Sequence, residues 1–80
     1  MKIYDFDGRK NICGERVHEA RRKLGISQAQ LSARLQTAGV NLERDSISRI
    51  EIGTRFVADY ELRAIAAALS VTVNYLLSID

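Results

Sequence analysis

The chain has no proline and no tryptophan, a single cysteine, Cys13, and a single histidine, His18. Each shortage removes a class of chemistry. One cysteine cannot make an intrachain disulfide, and without other ligands grouped near it a zinc site has no basis. No histidine stands at a predictable position to activate Cys13, which reads as a small apolar thiol on a helix face. His18 lies between Val17 and Glu19, beside an apolar stripe, and reads as a surface histidine rather than a general acid or base. There is no glycine-rich phosphate loop and no carboxylate pair with a shared purpose. With no convergent catalytic set, an enzyme is not expected, and neither is a cofactor or a metal. No apolar run approaches the ~20 residues that span a bilayer. Residues 1–10 mix Asp5, Asp7, Arg9 and Lys10 with apolar positions and lack the apolar core of a signal peptide, so a reducing, cytoplasmic setting is expected. Aromatics are confined to Tyr4, Phe6, Phe56, Tyr60 and Tyr75.

What remains is a helical composition. Ala, Leu, Arg, Glu and Gln dominate the middle of the chain, all strong helix formers. Eighty residues suit one small domain with a thin core. The net charge of +2 is mild, but residues 1–25 carry seven Lys or Arg against four Asp or Glu, and residues 26–80 five against six. The run Arg21-Arg22-Lys23 is either a solvated helix terminus suited to the macrodipole or a phosphate-facing patch.

Punctuation and periodicity divide the chain. Residues 1–11 show no helical period. Lys2-Ile3-Tyr4-Asp5-Phe6 alternates like a short strand, and Asp7-Gly8 is a turn signal, so this segment reads as a loosely attached arm. A helix is predicted over 12–24, with Cys13, Val17, Ala20 and Leu24 on one face and Gly25 as its stop. Ser27 with Gln30 forms a capping box for a second helix over 28–37 or 28–38, with Leu31 and Leu35 inward. A third is predicted over 44–52, with Ile47 and Ile50 buried and Gly53 at its end. Asp59 is read as the cap of a fourth, with Leu62, Ile65, Ala66 and Leu69 inward. Thr72 caps a short fifth that carries Leu76 and Leu77. The expectation is an all-α, compact five-helix bundle over 12–80, preceded by the arm at 1–11.

Function is written, if anywhere, on the third helix. With Ile47 and Ile50 inward, Arg44, Asp45, Ser48 and Arg49 face outward, because residues three and four apart share a face. Arginine can read guanine bidentately, serine can donate or accept, and an aspartate can accept from a cytosine amino group or support a neighbouring arginine.

Three stretches carry a resemblance. Residues 17–32, from Val17-His18-Glu19-Ala20-Arg21 to Gln28-Ala29-Gln30-Leu31-Ser32, resemble the first half of the Cro/repressor-type (Xre-like) helix-turn-helix domain. Residues 46–55, Ser46-Ile47-Ser48-Arg49-Ile50-Glu51-Ile52-Gly53-Thr54-Arg55, resemble its recognition helix and following loop. Residues 62–77 are similar to its last two helices. The resemblance implies a lambda-repressor-like bundle that binds double-stranded DNA as a transcriptional regulator, a repressor by analogy. It implies base contacts from Arg44, Asp45, Ser48 and Arg49, and phosphate contacts from Gln28, Thr54 and Arg55, with Arg22 and Lys23 as further candidates. It also implies a partly buried ion pair between Arg21 and Glu51. Two departures stand out: the connection around Thr37-Ala38-Gly39-Val40-Asn41 is longer than usual, and Glu43 occupies a position usually held by a small cap, leaving Asn41 as the candidate cap. Ser70 replaces a common glycine. A homodimer on a palindromic site is expected, with Tyr75, Leu76, Leu77 and Ile79 either forming its interface or closing the core. The alternative is a protein-binding, antitoxin-like regulatory module on the same fold.

Overall fold

The computed structural model describes residues 5–79. The alternation read over Lys2-Ile3-Tyr4-Asp5-Phe6 falls mostly on residues 1–4, outside the described residues. The Asp7-Gly8 turn forms: both residues have positive φ (51° and 79°), and Phe6 and Arg9 exchange backbone hydrogen bonds across it. That is the geometry that Asp-Gly favours in a two-residue reversal.

The described residues then form α1 (Gly14–Leu24), α2 (Gln28–Thr37), α3 (Arg44–Ile52), α4 (Asp59–Ala68) and α5 (Val73–Leu76). Helix α1 begins at Gly14 rather than at Ile12, which is half exposed. Gly25 ends it with φ 69°, its N–H bonded to the Arg22 carbonyl. The capping box of α2 is complete: Ser27 Oγ accepts from the Gln30 N–H, and Gln30 Oε1 accepts from the Ser27 N–H. Asp59 is the first residue of α4 and not its cap. The cap position is Ala58, whose N–H donates to the Glu61 side chain, so half of a capping box does the work.

The connection from α2 to α3 is a wide turn and not a longer helix. Helix α2 stops at Thr37, and Gly39 at φ 83° lets the Val40 N–H reach back to the Leu35 carbonyl. This pattern satisfies the free carbonyls of the last helical turn. The chain then buries Leu42, and Ser32 Oγ donates to the Leu42 carbonyl. Asn41 is exposed and caps nothing; Glu43 holds the cap position of α3 without a side-chain hydrogen bond. The sequence reading did not single out Leu42, since an isolated leucine in a turn has no periodicity to mark it.

The core comprises Cys13, Val17 and Ala20 of the α1 region, Leu31 and Leu35 of α2, Leu42, Ile47 and Ile50 of α3, and Ile65, Ala66, Leu69 and Leu76 from the C-terminal part. Leu24, expected on the inner stripe, is 43 % exposed and lies at an open groove shared with Leu69, Val71 and Tyr75. Helix α3 packs against both α1 and α2, while α4 and α5 close the far side. Leu76 is fully buried, so it closes the core and is unavailable to a partner. Tyr75, half-buried, lies beneath the Arg16 guanidinium at 4.6 Å, and Ile79 is exposed.

Candidate nucleic-acid interface

The orientation of α3 follows from its apolar residues. Ile47 and Ile50 are 1 % and 0 % exposed, and burying each contributes about 1.5–3 kcal/mol. With that face committed, Arg44, Asp45 and Arg49 stand in solvent and Ser48 is half-buried. Arg49 Nη2 lies 3.2 Å from Asp45 Oδ2, an exposed pair one helical turn apart. Gln28, Glu43, Arg44, Asp45 and Ser48 line a polar cleft where the first turns of α2 and α3 meet. The outer face of α3 therefore presents two guanidinium forks, a carboxylate and a hydroxyl on a fixed rod.

The inner end of α3 is held by a buried charge network. Arg21 Nε donates to Glu51 Oε2 at 2.8 Å, its Nη2 donates to Oε1 at 3.0 Å, and its Nη1 donates to the Ile26 carbonyl at 2.9 Å. Both residues are 8 % exposed. Gln28 Nε2 donates to the same Oε1 at 3.1 Å, and His18 Nδ1 lies 2.8 Å from it. His18 Nδ1 also sits 3.2 Å from Arg21 Nη2. One ring nitrogen cannot serve both neighbours at once: protonated at Nδ1 it donates to Glu51, and unprotonated there it accepts from Arg21. Burial pushes the Glu51 carboxyl up, but the hydrogen bonds from Arg21, His18 and Gln28 and the charge of Arg21 outweigh it, so the group sits below the usual carboxylate range. The hydrogen bond to Glu51 holds Arg21 above its ordinary value against the opposing effect of burial.

The other positions singled out in the sequence are scattered. Thr54 is exposed, with its hydroxyl at the long distance of 3.4 Å from the Arg49 carbonyl. Arg22 is exposed. Lys23 pairs with Glu19 and borders a groove formed with Leu69, Ser70, Val71 and Tyr75, away from α3. This separates it from the Arg21 side of α1, since positions two apart on a helix point to opposite sides. Arg55 is not a free cation either. Its Nη1 and Nη2 donate to the two oxygens of Glu61 at 3.1 and 3.3 Å, and Nη1 also donates to the Phe56 carbonyl. Burial raises the Glu61 carboxyl; Arg55 and the Ala58 N–H more than reverse this, and it too falls below the usual range. Gln28, expected at a phosphate, commits one of its two amide N–H groups to Glu51. His18 is exposed, as the sequence suggests, but its contact with Glu51 was not foreseen; the only available signal was its position one turn before Arg21. The sequence reading missed Glu61, marked only by standing three residues after the cap. Among the described residues, no group of His, Cys, Asp and Glu is placed to hold a metal, and no helix is long and apolar enough to cross a membrane.

No family model and no curated protein matches the sequence. Solved structures do. The P22 c2 repressor, crystallised in complex with a synthetic operator, is 33 % identical with a TM-score of 0.72, over 86 % of this chain and 97 % of that one. This chain has the repressor-type helix-turn-helix fold. The restriction-modification controller protein C.AhdI from Aeromonas hydrophila shares that helix-turn-helix architecture, at 28 % identity and a TM-score of 0.69, over 80 % of this chain and 86 % of its own. Within the helix-turn-helix, α2 is the first helix and α3 the second, and the wide turn plugged by Leu42 joins them.

Proposed function

We propose that the chain binds double-stranded DNA sequence-specifically as a transcriptional regulator of the Xre-like kind, acting as a repressor by occupying its site. The observation that carries this reading is the outward face of α3, polar and uncovered, on a scaffold similar to a repressor solved on operator DNA. Helix α3 enters the major groove. Arg44, Ser48 and Arg49 read base edges, and Asp45 aims Arg49 or accepts from a cytosine amino group. Arg22, Thr54 and the free N–H groups at the start of α2 beside Gln28 meet phosphates and set the register. Arg55, locked to Glu61, shapes the loop after α3.

A single short helix covers few base pairs, so the working form is a two-fold dimer on half-sites about 34–36 Å apart. Tyr75, Leu77 and Ile79 supply its contact, with Leu76 retained in the core. Selection of bound fragments from random DNA yields site, symmetry and spacing together. On the selected site, Arg49→Ala loses about 1–3 kcal/mol of binding while affinity for random DNA barely changes. An equal loss on both rejects the base-reading role.

A second reading, a protein-binding, antitoxin-like module, draws on an apolar surface. Phe6, Ile12, Val57, Leu62 and Leu77 line one groove, and Tyr60 and Val73 continue it past Leu62. Salt dependence separates the two: DNA binding weakens steeply between low and moderate salt, whereas a pure adaptor has little DNA affinity at either.

A further inference from the structure

The segment before α1 is fastened to the end of α3 by bonds that the sequence did not announce. Asn11 Nδ2 donates to the Ile50 carbonyl at 3.0 Å and to the Arg55 carbonyl at 2.7 Å. Its Oδ1 accepts from the Gly14 N–H at 2.8 Å, which caps α1. One side chain thus joins the start of α1, the last turn of α3 and the loop beyond it. Next to it, the Lys10 N–H donates to the Gly53 carbonyl at 2.8 Å. The Arg9 guanidinium lies in a slot between two glycines. A Cβ at Gly53 would fall 2.6 Å from Arg9 Cζ, and one at Gly14 would fall 2.8 Å from Nη2 and 2.2 Å from the Ile50 carbonyl oxygen. Gly53, at φ 89°, serves both to end α3 and to admit the arginine. A cation at this place also suits the negative end of the helix dipole. Arg9 Nη2 is buried without a partner, so the slot does not hold the arginine by satisfying all of its donors.

We infer that residues 9–11 are a clasp that fixes the tilt of α3, and that Asn11 is a positioning residue for base reading. The inference rests on the base-reading role of α3 proposed above. The core residues Ile47 and Ile50 and the pair Arg21–Glu51 hold α3 to the bundle along its inner side. The clasp adds a hold on the backbone of the same last turn, through the Ile50 and Gly53 carbonyls, and on the loop that carries Thr54 and Arg55. Releasing it leaves the core intact and lets that end shift. Base contacts require α3 to be held within a fraction of an ångström, whereas phosphate contacts tolerate a change of tilt.

The substitutions Asn11→Asp and Asn11→Ser separate the two duties of the side chain. Both keep an oxygen to cap Gly14, since Asp and Ser cap about as well as Asn. Asp has no donor, and Ser has one in place of the amide pair. In the full chain, each variant weakens binding to the selected site about tenfold, with random-DNA affinity and salt slope unchanged within about twofold. Amide NMR shifts move most over residues 50–55 and fade through α4 and α5. Unchanged affinity for the selected site, or equal loss on selected and random DNA, overturns the inference. Arg49→Ala in the same assay locates the fault: if it discriminates and the Asn11 variants do not, the clasp alone is wrong; if it does not discriminate either, the base-reading role falls first.

Discussion

Helix α3 takes part in two arginine–carboxylate pairs of the same chemistry and opposite character, one with α1 and one within itself. Glu51 and Arg21 are nearly enclosed, with side chains 5 % and 10 % exposed, and meet through two hydrogen bonds. Asp45 and Arg49 are 81 % and 62 % exposed and meet through one bond at 3.2 Å. The first pair has a further donor from Gln28, and from His18 when its Nδ1 carries the proton, to satisfy the carboxylate that burial would otherwise penalise. The second lies in water, where screening and side-chain entropy cancel most of its attraction. Burial alone turns one pair into a fastening and leaves the other free to exchange its partner for a ligand. Arg55–Glu61 stands between them, with side chains 27 % and 9 % exposed.

The contrast can be broken at its buried end first. Glu51→Ala leaves Arg21 buried and uncompensated, and denaturant unfolding should show a loss of about 3–5 kcal/mol. That is a large share of the roughly 5–15 kcal/mol that holds a domain together. A loss below about 1 kcal/mol would place the pair in the same class as a surface bridge. Glu61→Ala removes the partner of Arg55 and half a capping box, and should lose about 1.5–3 kcal/mol in the same measurement.

Acid should reveal both carboxylates. Because Glu51 and Glu61 are held below their ordinary value of 4.5, their contribution to stability is complete above that value. It is lost as the pH falls through the lower native values. Melting followed from neutral pH downward should show the wild type losing stability below pH 4.5, and Glu61→Gln should flatten that decline. Its difference from wild type should shrink as the pH drops; a difference independent of pH would show that the charge is irrelevant. The smallest effect belongs to the exposed pair. Asp45→Asn should change stability by less than about 0.5 kcal/mol, while altering base preference on DNA selection by freeing Arg49. A stability loss as large as that of Glu61→Ala would erase the distinction drawn here.

Local signals made α2 and α3 legible. Ser27 with Gln30, and Gly53 after Ile52, mark ends that depend on a few neighbouring residues, and the inward isoleucines follow from spacing within one helix. The outward set Arg44, Asp45, Ser48 and Arg49 was legible for the same reason. Asn11 and His18 were not, because the groups they touch lie 39 and 33 residues away in sequence. Nothing within a turn of Asn11 records that contact, and His18 has only its place one turn before Arg21 to mark it. Arg55 was misread because a loop arginine looks free until Glu61, on the next helix, is brought beside it. Leu24 shows the converse failure: correct spacing places it on the stripe, but it only lines an open groove with Leu69, Val71 and Tyr75 and stays 43 % exposed.

The wide turn before α3 has a consequence of its own. Its middle is not loose: Leu42 is 2 % exposed within the core, and its carbonyl accepts from Ser32 Oγ of α2. Interiors are packed tightly enough that a change of one methylene is felt by the neighbours. The volume of this one interior side chain is thus a further hold on the aim of α3, beside the buried ion pair and the clasp, and substitution there can retune it while every outward residue stays as it is.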